Sequence, residues 1–87
     1  DLETRRKRLV FRAWHRGVKE ADIILGNFVR NHVAGWDQEQ LIWFERLLEE
    51  SDRDILAWIT ASEPIPAIFD TKLMHAMQKL DYVNIGD

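Results

Sequence analysis

The clearest helical signal in the chain lies in residues 18–33, which read VKEADIILGNFVRNHV. Apolar residues recur there at the spacing that places them on one face of a helix. They are Val18, Ala21, Ile24, Leu25, Phe28, Val29 and Val33. No window of four to eight residues anywhere in the chain alternates strictly between apolar and polar side chains, so we expect no strands. This pattern predicts an all-α protein.

Two further apolar stripes lie on either side of this segment. One occupies residues 9–14 and ends at Arg16-Gly17, where a tight turn is expected before the helix of residues 18–33. The other begins after a break at residues 34–36, where Asp37 is followed three residues later by Gln40, the spacing of a capping box. The first half of the chain therefore predicts three helices.

The second half of the chain predicts two more helices. Ser51 and Asp54 repeat the capping spacing, and the two prolines in residues 63–66 are expected to stop the helix that follows. Asp70 or Thr71 can cap a last helix. Because short connections favour antiparallel neighbours, residues 1–87 should form a single domain, a compact five-helix bundle. Its core should hold six large aromatic residues, namely Trp14, Phe28, Trp43, Phe44, Trp58 and Phe69.

The composition excludes several kinds of chemistry. The 87 residues include no cysteine, which rules out a disulfide scaffold and a thiol nucleophile in this chain. His15, His32 and His75 fall in three different predicted elements and show no metal-binding spacing. No serine or threonine lies in a nucleophile motif. We therefore expect a chain that is not an enzyme, with no catalytic and no metal-binding residues. No apolar run approaches the roughly 18–20 residues of a membrane span, so membrane insertion is not expected.

Charge is divided unevenly along the chain. Residues 1–16 carry six basic and two acidic side chains, whereas residues 17–87 carry six basic and 13 acidic ones. On a helix, Arg5, Arg8 and Arg12 fall on one flank, and Phe11 lies beside Arg8 outside the apolar face. This flank could be solvated, could dock an acidic partner or could contact phosphates. The acidic remainder of the chain argues against nucleic acid.

The pentapeptide Arg16-Gly17-Val18-Lys19-Glu20 allows two interpretations. In a structural one, Gly17 is the N-cap of the second helix and Glu20, at position N3, returns a capping hydrogen bond. In a functional one, the same residues form part of a binding surface. The spacing alone leaves both open.

A set of motifs favours the functional interpretation. R-G-x-x-E at the start of a second helix resembles the succinate dehydrogenase assembly factor family, also called flavinators. Residues 6–17 resemble the family's R-x-x-L-x-[YF]-R-x-x-x-R-G run, and residues 20–28 are similar to its E-x-D-x-x-L-G-x-F. Residues 44–58 resemble its F-x-x-L-L…D-x-D-[LI]-x-x-W segment, with Arg53 between the aspartates as in bacterial members. The ordered set covers roughly residues 5–60.

The resemblance implies a small helical protein that binds the flavoprotein subunit of succinate dehydrogenase, or of fumarate reductase, and promotes covalent attachment of its FAD. It implies partner-binding roles for Arg16, Gly17 and Glu20, with Arg8 and Arg12 steering the docking. The FAD belongs to the client, and no cofactor is expected to bind stably to this chain. We expect a monomer in the cytoplasm, or in the mitochondrial matrix if the source is eukaryotic. An antitoxin-like or regulatory protein-binding module is the alternative, and a nucleic-acid binder is a more distant one.

Overall fold

Five α-helices make up most of the protein in a computed structural model that describes residues 1–83. They are α1 (Leu2–Trp14), α2 (Lys19–His32), α3 (Gln38–Leu47), α4 (Asp52–Ile59) and α5 (Lys72–Gln78), with 3₁₀ turns at Val33–Gly35 and Ala67–Phe69. No strand occurs in this part of the chain. The predicted all-α, five-helix fold is confirmed. Within residues 1–83, each helix is too short or too polar to cross a lipid bilayer.

The predicted caps of α3 and α4 are both present. The Asp37 carboxylate accepts a hydrogen bond from the Gln40 backbone N–H, and the Gln40 side-chain oxygen accepts one from the Asp37 backbone N–H, each at 2.9 Å. The Ser51 hydroxyl oxygen accepts from the Asp54 backbone N–H at 3.1 Å. These contacts satisfy N–H groups that a helix start leaves without an intrahelical acceptor.

The predicted end of α4 was wrong, and at the start of α5 the predicted cap position is correct but its side-chain bond is missing. Helix α4 ends at Ile59, before residues 63–66, because the backbone reverses at Ala61, whose φ is 61°. The Ser62 N–H then donates to the Ala57 carbonyl at 2.8 Å, which closes the helix end without proline. At the start of α5, Thr71 occupies the N-cap position but makes no side-chain capping bond.

The core contains most of the predicted aromatic residues and one that was not predicted. Phe28, Phe44, Trp58 and Phe69 are buried, whereas Trp14 and Trp43 are half-buried. Trp36 is also buried, although it follows the break that interrupts the helical pattern. Its ring stacks on Phe44 with centroids 5.1 Å apart. A single aromatic residue in a connection has no periodic neighbours, so its burial could not be predicted from spacing.

The Leu25-Gly26-Asn27-Phe28 run joins α2 to α1. Gly26 faces Trp14 of α1, and a Cβ added there would lie 2.5 Å from Cε2 and 2.6 Å from Cε3 of the indole. The Arg30 guanidinium covers the ring with its Cζ 5.4 Å from the centroid. Buried Asn27 accepts a hydrogen bond from Arg30 at 2.7 Å and so holds this cation over the ring. Helix α1 is thereby fixed against α2 just before the turn that joins them.

Replacing Gly26 with Ala should destabilise the protein by about 1–3 kcal/mol, because the methyl group overlaps the Trp14 ring. Gly35→Ala is the matched control, since a Cβ at Gly35 meets nothing within 4 Å. Chemical denaturation monitored by circular dichroism measures both variants. Equal unfolding free energies for the two would contradict the close packing at Gly26.

Candidate functional site

The turn between α1 and α2 has a geometry that only glycine adopts easily. Helix α1 ends at Trp14, and Gly17 has a φ of 96°. Val18 is the extended N-cap residue of α2 and makes no side-chain capping bond. The capping interpretation of Gly17 and Glu20 is therefore wrong: Gly17 precedes the N-cap, and Glu20 is the second residue of α2 instead of the third.

The carboxylate of Glu20 is accessible at this turn. Glu20 is exposed, and its carboxylate makes no hydrogen bond or ion pair with any residue in the described range 1–83. Gly17 is also exposed, and a Cβ built on it would meet nothing within 4 Å. The fold thus requires glycine here for its backbone angle, while the space above the turn stays open for another molecule.

Arg16, by contrast, points into the protein. Its guanidinium donates to the Leu48 carbonyl at 2.6 Å and the Glu50 carbonyl at 2.9 Å, and its Nε donates to the Asp52 carboxylate at 2.7 Å. The Arg16 side chain is only 13% exposed. Leu48 is the C-cap residue of α3, where carbonyls lack intrahelical donors, Glu50 lies in the α3–α4 connection, and Asp52 is the first residue of α4. We call these contacts the Arg16 clamp.

The backbone of Arg16 is held from the opposite side. Its N–H donates to the Asp22 carboxylate at 2.6 Å. Asp22 lies in the first turn of α2, where a negative charge is favoured by the helix dipole. The residue before Gly17 is therefore anchored to three helices: to α2 through its backbone, and to α3 and α4 through its side chain.

Two arginines of α1, Arg5 and Arg12, meet acidic residues of α3 and of the connection that follows it. Arg5 binds both carboxylate oxygens of Glu45, at 2.8 and 3.3 Å, and this hydrogen bonding raises the pKa of Arg5. Arg12 pairs with Glu49 at 2.7 Å. Of the predicted basic flank, Arg8 alone is exposed and has no ion pair within the described residues. Much of the basic charge of residues 1–16 is thus balanced inside the molecule.

An exposed aromatic residue lies one helical turn before the end of α1. Phe11 is 63% exposed, as the sequence indicated. His15 stacks on it with ring centroids 4.0 Å apart, and the His15 Nδ1–H donates to the Phe11 carbonyl at 2.6 Å. This stack restricts the Phe11 side chain, so less rotational freedom remains to be lost on binding.

The described residues form no cluster of metal ligands, and they include a cleft at the start of α3. Within residues 1–83, no three His, Asp or Glu side chains lie close enough to hold a metal ion. A cleft of about 390 Å³ opens between the starts of α3 and α5, and both acidic and basic side chains line it, namely Asp37, Glu39 and Lys72.

Comparison with known proteins identifies the family. Residues 7–81 match the family model described as flavinator of succinate dehydrogenase. The chain belongs to this family. The motifs quoted from the sequence lie almost entirely within the matched region, which also contains the Gly17 turn, Glu20 and the Arg16 clamp.

Individual relatives agree with this assignment. The chain is 35% identical over 80 residues to succinate dehydrogenase assembly factor 2-B, mitochondrial, of Drosophila melanogaster, covering 90% of this chain and 51% of that protein. It is 30% identical over 83 residues to succinate dehydrogenase assembly factor 2, mitochondrial, of Debaryomyces hansenii, covering 91% of this chain and 58% of that protein. The chain thus spans between half and three fifths of the length of these relatives.

Proposed function

We propose that this chain binds the flavoprotein subunit of succinate dehydrogenase before its FAD is covalently attached, and that it promotes that attachment. The observation that carries the proposal is the family match over residues 7–81, which includes the open Gly17 turn and the exposed Glu20 carboxylate. The match does not favour the antitoxin-like alternative. Ion pairs within the protein neutralise three of the six basic side chains of residues 1–16, namely Arg5, Arg12 and Arg16, which weakens this segment as a contact for a nucleic-acid backbone.

The proposed docking surface comprises Arg8, Phe11, Arg12, Gly17 and Glu20. Gly17 lets the backbone of the client approach closely, because no side chain stands above the turn. Glu20 accepts a hydrogen bond or pairs with a cation of the client. Phe11 supplies an aromatic contact of the kind that often contributes most to binding. Arg8 steers an acidic surface of the client toward it, with a smaller contribution from Arg12, whose charge is partly offset by Glu49.

The chain would act by positioning and not by supplying a reacting group. Covalent attachment requires a client histidine and the flavin methyl group to be held in near-attack geometry. A partner that binds this arrangement more tightly than the open one increases its population and so speeds the reaction. FAD remains with the client throughout. We propose that the chain acts as a monomer in the compartment where its client folds, and that the fumarate reductase subunit is a second client.

Reconstitution tests this proposal directly. Purified apo flavoprotein subunit is incubated with FAD, with or without this chain, and covalent flavin is read by in-gel fluorescence after denaturation. We expect the chain to increase the rate of covalent flavinylation. Glu20→Ala should remove most of that increase, while its thermal midpoint should fall only by the small amount expected from losing one carboxylate at a helix start. A wild-type chain that leaves flavinylation unchanged would contradict the proposed function.

Glu39→Ala is the matched control in this assay. Glu39 is the second residue of α3, as Glu20 is of α2, and it is also exposed. Both substitutions therefore remove one carboxylate from a helix start at a similar cost of about 0.3–1 kcal/mol. Equal loss of flavinylation in the two variants would assign the effect to helix stability and not to docking.

The role of Phe11 is tested by comparing Phe11→Ala with Ile68→Ala. The two side chains are almost equally exposed, at 63% and 62%, but Ile68 lies in the 3₁₀ turn at Ala67–Phe69. We expect Phe11→Ala to weaken binding to the flavoprotein subunit by about tenfold or more, the effect typical of an interface hot spot. Ile68→Ala should bind like wild type. Calorimetric titration of each variant measures this difference, and equal affinities would remove Phe11 from the docking surface.

A further inference from the structure

We propose that Arg16 and Asp52 are positioning residues: they hold the α1–α2 turn against the α3–α4 junction so that Gly17 and Glu20 face the client in one arrangement. This inference rests on the proposed function and assigns Arg16 a different role from the partner contact expected from the sequence. It also links the R-G-x-x-E motif, which spans the α1–α2 turn and the start of α2, to the D-x-D motif at the start of α4, which is remote in sequence.

The direction of the Arg16 side chain supports this role. Its guanidinium already donates to two backbone carbonyls and one carboxylate, and only 13% of the side chain is exposed. Because these three acceptors lie between the end of α3 and the start of α4, the planar guanidinium is fixed in orientation as well as in position. A client could reach Arg16 only by displacing bonds that hold the fold together.

The backbone on both sides of Gly17 is restrained as a consequence. The clamp fixes the Arg16 side chain, the Asp22 carboxylate fixes its N–H, and Val18 begins α2 directly after Gly17. Gly17 can therefore keep its positive φ without contacts of its own. Glu20 follows within the first turn of the same helix, so its placement relative to α3 and α4 depends on the clamp.

Asp52 allows this role to be separated from direct contact. It is the first residue of α4, its side chain is 19% exposed, and it lies outside the docking surface. Removing its charge deprives the Arg16 guanidinium of its only counter-ion among the described residues. If Arg16 touched the client directly, releasing it would leave binding unchanged or strengthen it. A positioning role predicts weaker binding.

The test compares Asp52→Asn with Glu45→Gln. Glu45 pairs with Arg5 at 2.8 Å, so it also joins α1 to the second half of the chain and is the matched control for a lost ion pair. Binding of each chain to purified flavoprotein subunit is measured by calorimetry at a temperature where circular dichroism shows both variants fully folded. We expect Asp52→Asn to raise the Kd about tenfold and Glu45→Gln to change it by less than about threefold.

A spectroscopic readout and a conservative variant complete the test. The Gly17 amide cross-peak in a ¹H–¹⁵N spectrum should shift in Asp52→Asn and stay in place in Glu45→Gln, and Asp52→Glu should recover part of the affinity by restoring the charge. If wild type binds while Asp52→Asn binds equally well, or no worse than Glu45→Gln, the positioning role is overturned and the proposed function stands. If wild type itself does not bind, both are overturned.

Discussion

The guanidinium of Arg16 is the constraint on which the arrangement of the site depends. It binds carbonyl groups of Leu48 and Glu50 and the carboxylate of Asp52, while its backbone N–H binds Asp22. One residue therefore ties the α1–α2 turn to α2, to the α3–α4 connection and to the start of α4. The Arg16 side chain supplies hydrogen-bond donors to carbonyl groups at the end of α3, and the same bonds restrain the α1–α2 turn. This leaves Gly17 and Glu20 facing outward from a rigid support, which is how binding sites keep their geometry.

The uneven distribution of charge along the sequence corresponds to ion pairs within the folded protein. Three basic residues in or just after α1 pair with acidic residues between α3 and the start of α4, so the two halves of the chain attract each other across the bundle. The pairs are Arg5–Glu45, Arg12–Glu49 and Arg16–Asp52. Exposed pairs of this kind contribute little stability individually, yet together they orient α1. Among the described residues, Arg8 and Glu20 are exposed charges of the proposed docking surface that no ion pair within the protein neutralises.

Much of the fold could be predicted because its signals are local. The apolar spacing of residues 18–33 identified α2, and the three-residue spacing from Asp37 to Gln40 identified a capping box that is present. The inward direction of Arg16 could not be predicted, since two of its acceptors are backbone carbonyls more than 30 residues away, and every residue type carries such a group. The exposure of Phe11 was predicted from helix periodicity, whereas its stacking partner His15 follows the last residue of α1, where periodicity ends.

The most direct test of the proposed docking surface is hydrogen–deuterium exchange of this chain with and without the purified flavoprotein subunit. The exchange of every peptide is followed by mass spectrometry, with the free chain as reference. We expect binding to slow exchange in residues 8–20, which contain the end of α1 and the Gly17 turn, and to leave residues 66–79 unchanged. Slower exchange in residues 66–79, with residues 8–20 exchanging as in the free chain, would contradict docking through the Arg16-supported turn.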